Sequence, residues 1–557
     1  MAKPTVASGA SDSRPADLVL TGGRVMTMDA VRRSAEAVAV RDGRIVAVGP
    51  STDVRPLVGP RTRLVDLGGR TLLPGFQDAH VHPLSAGVGM LQCPLQDVTP
   101  TPEAYLDVIS AYASSHPDLD WVEGDGWYMA VFPGGTPRRE DLDGAVPDRP
   151  AIFVNRDGHG AWANSRALAR AGIDRDTPDP VDGRIERDPD GTPTGTLHEG
   201  AIDLVRKLIP PPTGETMVLG LAKAQAYLHA LGITAWQDAW VGPAELAAYR
   251  TFAERGLLTA RTVACQWWER TRGDDQIDEM IEARRISAIG RLRASSVKIM
   301  QDGVIENFTA AMLAPYLGPD GRSTGDRGIS FVDPVALERH VTRLDAAGFQ
   351  VHFHALGDRA VREALDAIAA ARAANGPTDG RHHIAHLQVV DKADLPRFHA
   401  LGAVANIQPL WACRDAQMVA LTLPFLTPAT AANMYPFRSL RRAGAILAGG
   451  SDWSVSTPNV LKESEVAITR VDRDVDEQAP LGAEEALDLV DVLAAFTIGS
   501  AYVNHLDGET GSVEVGKLAD LVVLDRDIEA EAPGRIGDAK VLLTLSEGVA
   551  VHDAGQL

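Results

Sequence analysis

Cysteine and lysine are both scarce in this chain, and each scarcity narrows the reading. Only three cysteines occur in 557 residues, Cys93, Cys265 and Cys413. They are odd in number, far apart and form no CxxC pair, so a disulfide framework is excluded and a reducing, cytoplasmic setting is expected. Basic residues are outnumbered, 54 Lys and Arg against 75 Asp and Glu, for a net charge of -21. A nucleic-acid or anionic-membrane partner needs a basic footprint and is not expected. No run approaches the ~20 apolar residues of a membrane span. Residues 1–15 lack the apolar stretch of a signal peptide and read as a disordered leader. With eight lysines in all, one set inside an apolar strand, Lys298, stands out.

What is present suits a globular protein, with 45% hydrophobic and 23% charged residues. The length exceeds one ordinary core, so two or three domains are expected. From Ala16, short valine-rich runs alternate with Gly-Gly, Asp-Gly and Gly-Pro, the signature of β-hairpins. The same pattern returns in GSVEVGKLADLVVLDRD and AKVLLTLSEGVAVHD. Residues 16–73 and 510–557 are therefore expected to pair into one small β-sandwich domain. Residues 84–230 mix helical pieces with an aromatic patch, WVEGDGWY, a strand leading into RDGHGAWANS, and a hairpin in DGRIERDPDGTPTGTLHEGA. They read as an inserted α/β lobe that shapes a substrate pocket.

Residues 74–83 and 231–509 alternate more cleanly. Strand candidates are a run ending at His82, then Gly232–Trp240, Arg261–Trp267, Ser296–Met300, Phe349–Ala355, His382–Leu387, Ala403–Gln408 and Ala445–Asp452. Eight strands with helical crossovers and no Gly-rich nucleotide loop predict a (β/α)8 TIM barrel rather than an open sheet. Barrel active sites lie at strand C-termini, and chemistry-bearing side chains gather there. His80 and His82 share one face of the first strand, because residues i and i+2 do so in β structure. The fourth strand carries Lys298, with Asp302 just beyond it. His354 lies nearer the exit of its strand than His352, and His386 nearer than His382, so the deeper pair is read as supporting or packing residues. Asp452 follows Gly449-Gly450-Ser451, where small residues let the backbone approach a metal closely. His116, His229, His340 and His399 are read as ordinary exposed residues.

Nitrogen and oxygen donors of this kind suit a divalent metal. A desolvated, neutral Lys298 could take up carbon dioxide and become a carbamate ligand bridging two ions; pairing with Asp302 is the plain alternative. Asp452 could both coordinate and accept a proton from the attacking water. Around the site, Trp127, Tyr128, Asp302 and Trp453 are expected at the substrate. Trp267, Trp268 and Trp411 stand near strand exits, and His159 is placed to hydrogen-bond a carbonyl oxygen.

Six segments, LLPGFQDAHVHP, VKIMQDG, HFHALGDRAV, IAHLQ, GGSDW and GSVEVGKLADLVVLD, span nearly the whole chain in a telling order. In them the sequence resembles the amidohydrolase superfamily, in particular its family-3 branch, which includes N-substituted formamide deformylase. The resemblance implies a metal-bearing barrel beside a β-sandwich built from both chain ends. It implies ligation by His80, His82, His354 and His386, with Asp452 as ligand and base and Lys298 as a carboxylated bridge between two ions. Zinc, as one or two ions, is the metal expected. QDAHVHP departs from the serine that many relatives carry before the first histidine. The activity implied is hydrolysis of a linear carbon–nitrogen amide bond in a small molecule, with N-substituted formamides first. Other amides, carbamates, cyclic imides and esters stay open, as does a non-catalytic barrel scaffold. A homodimer is the assembly such relatives suggest, although no interface can be read from the residues.

Overall fold

A computed structural model describes residues 14–96, 98–473 and 479–557. Most of the expected leader lies outside the described residues. The central element is an eight-stranded sheet of parallel strands in sequence order: Phe76–Val81, Ile233–Val241, Arg261–Trp267, Leu292–Met300, Gln350–Ala355, His383–His386, Val404–Ile407 and Ile446–Gly449. This is the (β/α)8 barrel the alternation predicts. Its last strand returns to its first through main-chain bonds, from Asp452 N–H to the His80 carbonyl (2.8 Å) and from His82 N–H to the Trp453 carbonyl (2.7 Å).

The crossover helices form where the sequence supplies start signals. Pro334–Ala346 opens with proline at its first position, and the Asp333 carboxylate accepts from Ala336 N–H at 3.0 Å. Thr213 caps Gly214–Ala230 in the same way, accepting from Thr216 N–H at 3.2 Å. That helix lies against Pro83–Gly89, the short helix His82 leads into, and the two touch at glycine. A Cβ added at Gly87 would fall 2.1 Å from the Gly220 carbonyl oxygen.

Two further sheets lie at the chain ends. One holds four strands, with Leu18–Thr21 between Ala37–Arg41 and Arg63–Asp66. In the other, Thr71–Pro74 pairs antiparallel with Leu521–Leu524, which in turn pairs with Val541–Ser546. Their facing side chains, among them Leu20, Val38, Leu72, Val523 and Leu543, form one apolar cluster. Arg261, at the start of the third barrel strand, ion-pairs with buried Asp520 beside this sheet. A separate six-stranded mixed sheet runs from Cys93–Pro94 to Pro193–Glu199, with Gly183–Arg187 as the antiparallel partner of Pro193–Glu199. No helix among the described residues is long and apolar enough to cross a membrane.

Two histidines expected at the surface are buried, because each has internal partners. His229 bonds the Ile233 carbonyl and Thr259 Oγ1, both at 2.8 Å. His340 pairs with Asp274 and packs on Trp268.

The glycine contact under His82 is testable. Gly87→Ala should lower the free energy of unfolding in urea by about 1–3 kcal/mol, the cost of overpacking. Gly144→Ala, in a helix where an added Cβ meets nothing within 4 Å, should be neutral or slightly stabilising.

Candidate metal centre

The strand exits bring His80, His82, His354, His386 and Asp452 together. His80 ends the first strand's inward face, and His82 follows as the residue before the short helix. Both Nε2 atoms lie 3.0 Å from Asp452 Oδ1, and His386 Nδ1 lies 3.9 Å from Asp452 Oδ2. Ligating atoms of His80, His386 and Asp452 fall within 4.8 Å of one another. The His386 ring centroid is 4.4 Å from that of His354 and 4.7 Å from that of His80. Small residues permit this crowding, since a Cβ on Gly450 would stand 2.6 Å from His80 Cβ. His386 and Asp452 themselves adopt positive φ, 82° and 56°, so strand ends bend sharply into the site.

Asp78 holds the arrangement from behind. It is fully buried, and Oδ1 accepts from His80 N–H (3.1 Å) and Ser451 N–H (3.0 Å), while Oδ2 accepts from Ser451 Oγ (2.5 Å). The first and last strands are thereby fixed at the point where the ligand-type residues project.

The electrostatics suit a cation. Burial, reinforced by neighbouring positive groups, pushes His80, His354 and His386 well below the ordinary imidazole range, so they are neutral, the form that ligates. Burial alone would raise the Asp452 carboxyl; the His82 hydrogen bond and the nearby His386 outweigh it and hold Asp452 below its usual range. Both ring nitrogens of buried His386, and Nδ1 of His82, have no hydrogen-bond partner among the described residues. Buried polar atoms are rarely left so. Four imidazoles, a carboxylate and orphaned nitrogens fit a divalent metal.

Lys298 is buried and pushed down to about 8, by burial first, against the pull of Asp452. It makes no ion pair within 4 Å among the described residues, and its register partner is His352, one layer below His354. Asp302 is not its partner. That carboxylate accepts from the backbone N–H groups of Ala311, Leu356 and Gly357 at 2.9–3.1 Å and lies 3.3 Å from His354 Nδ1.

These ligand-type residues stand at the floor of a cavity of about 1360 Å³, lined also by Tyr128, Arg156, His159, Trp267, Trp411 and Trp453. Three residues expected at the substrate do not reach it. Asp302 is wholly buried behind His354 and spends its oxygens on backbone donors. Trp127 is wholly buried in the core of the mixed sheet, its Nε1 donating to the Phe153 carbonyl at 2.7 Å. Trp268 packs on His340 instead.

Two cavity residues were not picked out from the sequence. Glu199 accepts from His159 Nδ1 at 3.0 Å and from Thr309 Oγ1 at 2.8 Å. Burial opposes a charge on His159, but the Glu199 carboxylate prevails and pushes it up to about 9. His159 is thus an imidazolium at neutral pH, 5.5 Å ring to ring from His354. Arg156 donates from Nε to the Val455 carbonyl at 2.5 Å, with its guanidinium 5.4 Å from the Tyr128 ring centre. Pairs separated in sequence by 40 residues for Glu199 and 299 for Arg156 leave no local signal.

Residues 63–552 match the amidohydrolase family profile. The chain is 31% identical to Protein LONG AFTER FAR-RED 3 of Arabidopsis thaliana over 91% of its own length and 87% of that protein. It is 29% identical to the N-substituted formamide deformylase of Arthrobacter pascens, over 96% and 98%. In fold it resembles the crystal structure of an uncharacterized metal-dependent hydrolase from Pyrococcus horikoshii, with a TM-score of 0.71, 23% identity, and coverage of 96% of this chain and 100% of that one.

The His159–Glu199 pair makes a pH prediction. A histidine raised from 6.5 to about 9 stabilises the folded state fully below about pH 6.5, and that contribution fades as pH rises through 9. Proton NMR of the wild type should show His159 titrating near 9. In Glu199→Gln the midpoint should fall by at least two pH units, and the loss of stability relative to wild type should shrink above pH 9.

Proposed function

The chain belongs to the amidohydrolase family, and on that premise we propose that it hydrolyses a carbon–nitrogen bond, with N-substituted formamides as the first substrates. The observation that carries the reading is Asp452, an ionised carboxylate 3.0 Å from both His80 and His82 at the floor of the cavity. His80, His82, His354, His386 and Asp452 would hold the metal, zinc first given the nitrogen-rich set. Such an ion acidifies a water molecule and polarises the substrate carbonyl.

The protein's own groups do the rest. Asp452 accepts the proton of the attacking water and returns it to the leaving nitrogen. His159, kept cationic by Glu199, donates to the oxygen on which negative charge develops. Tyr128, Trp267, Trp411 and Trp453 offer apolar walls to an aromatic or aliphatic N-substituent. Lys298, buried with no ion pair within 4 Å among the described residues, is the residue on which a second ion would depend. Its neutral amine adds carbon dioxide and releases one proton, leaving an anionic carbamate.

Arg156 favours a second reading within the same chemistry. Its Nε is committed to Val455, three residues past Asp452, while the rest of its fork has no carboxylate within 4 Å among the described residues. A substrate carrying a carboxylate, such as an N-acyl amino acid, would complete it.

Formate release from N-benzylformamide by zinc-loaded protein should fall at least ~100-fold in Asp452→Asn, the scale of a lost general base. No formate from folded, metal-loaded wild type would reject the formamide substrate. Retention of more than a tenth of the rate in Asp452→Asn would remove that residue from the proposed mechanism. If the second reading holds, N-formylphenylalanine should be preferred over N-benzylformamide, and Arg156→Gln should erase the preference through KM. Equal KM values in wild type would exclude it.

A further inference from the structure

Barrel interiors are usually filled with branched apolar side chains. Here a line of polar side chains runs up the middle instead, and its direction can be worked out from which atoms are able to donate. At the lower end, Gln350 Nε2 faces the backbone carbonyls of Arg381 (2.9 Å) and Val503 (2.8 Å). Carbonyls only accept, so that end of the amide is the NH2 group and Gln350 Oε1 points the other way. Gln350 Oε1 in turn faces Gln237 Nε2 at 2.9 Å, and the same nitrogen reaches Asn504 Oδ1 at 3.1 Å. The orientation of Gln237 is therefore settled as well, with its oxygen turned toward His352 Nδ1 at 2.8 Å and His383 Nε2 at 2.8 Å. An amide oxygen cannot donate, so His352 carries its hydrogen on Nδ1. His352 Nε2 is left as an acceptor, and it faces His80 Nδ1 at 2.7 Å.

We infer that Gln350, Gln237 and His352 form a one-way hydrogen-bond relay that fixes His80 in the Nδ1–H tautomer and turns its Nε2 lone pair toward the metal. The inference rests on the reading of His80 as a ligand. Every member is buried: Gln237 and His352 at 0% exposure, His80 at 1% and Gln350 at 4%. Shielded from bulk solvent, the tautomer is set from the barrel floor. His352 and the two glutamines are positioning residues; none lines the cavity.

His383 supplies the control. It bonds the same Gln237 oxygen, and its Nδ1 accepts from Asn406 Nδ2 at 3.1 Å, but it makes no hydrogen bond to His80. A role in stability alone would make His352 and His383 equivalent.

The test is zinc affinity of the full chain, measured by chelator competition and independently of turnover. His352→Phe should weaken zinc binding 10–100-fold, the usual cost of losing such a supporting group. His352→Gln, whose amide oxygen can still accept from His80 Nδ1, should recover to within about threefold of wild type on that scale. His383→Phe should bind zinc as wild type does even where its thermal midpoint falls as far. Wild-type affinity in His352→Phe, or equal losses in His352→Phe and His383→Phe, would overturn the relay. Should the phenylalanine variants fail to fold, 15N-histidine NMR of metal-free wild type decides the matter. An Nδ1–H signature for the resonance missing in His80→Asn supports the relay, and an Nε2–H signature refutes it. Wild type that binds no zinc would overturn the ligand reading, whereas the NMR result bears on the relay itself.

Discussion

Everything at the centre depends on a seam, the line along which the first and last barrel strands meet. A parallel barrel has no hairpin to close it, so closure must come from contacts between segments remote in sequence. Here the closing main-chain bonds involve His80, His82, Asp452 and Trp453, three of them ligand-type residues. Asp78 reinforces the seam by accepting from both sides at once. The bonds that close the barrel thus also position residues proposed to hold the metal.

This largely anionic chain treats buried charge in two ways. Asp302 is satisfied entirely by backbone donors, a cheaper solution than an ion pair that must be desolvated on both sides. His159 and Glu199 take the opposite course and keep both charges beside the cavity, where a developing negative charge would meet the imidazolium. The imidazoles below them are neutral because burial makes them so. Beside the cavity, charge is retained where substrate would arrive.

The barrel was legible because its evidence is periodic and local. Seven apolar runs after His82 fall on the observed strands to within a few residues, and helices start where Asp333 and Thr213 place their caps. Strand-exit position and side-chain parity were enough to nominate His80, His82, His354, His386 and Asp452, which the fold brings together. Parity could not say what lay opposite. Asp302 stands at an exit but turns its carboxylate into the turn before Asp358. Trp127 sits in an aromatic patch, yet the alternation of its strand sends it to the core while its neighbour Tyr128 reaches the cavity. His229 and His340 lie on helices, and only tertiary partners reveal that they are inside. Glu199, Arg156 and the relay under His80 are pairings across the fold, invisible to any local pattern.

The seam also sets a schedule for synthesis. His82 and Asp452 touch although they stand 370 positions apart in sequence, so a nascent chain can build strands, helices and the mixed sheet long before these two meet. Contacts of such sequence separation form late, since loop closure must be met before they contribute. Until residue 452 leaves the ribosome, His80 and His82 lie at an open edge, with no carboxylate across from them. A fragment ending earlier can therefore be well folded in most of its parts and still have no centre.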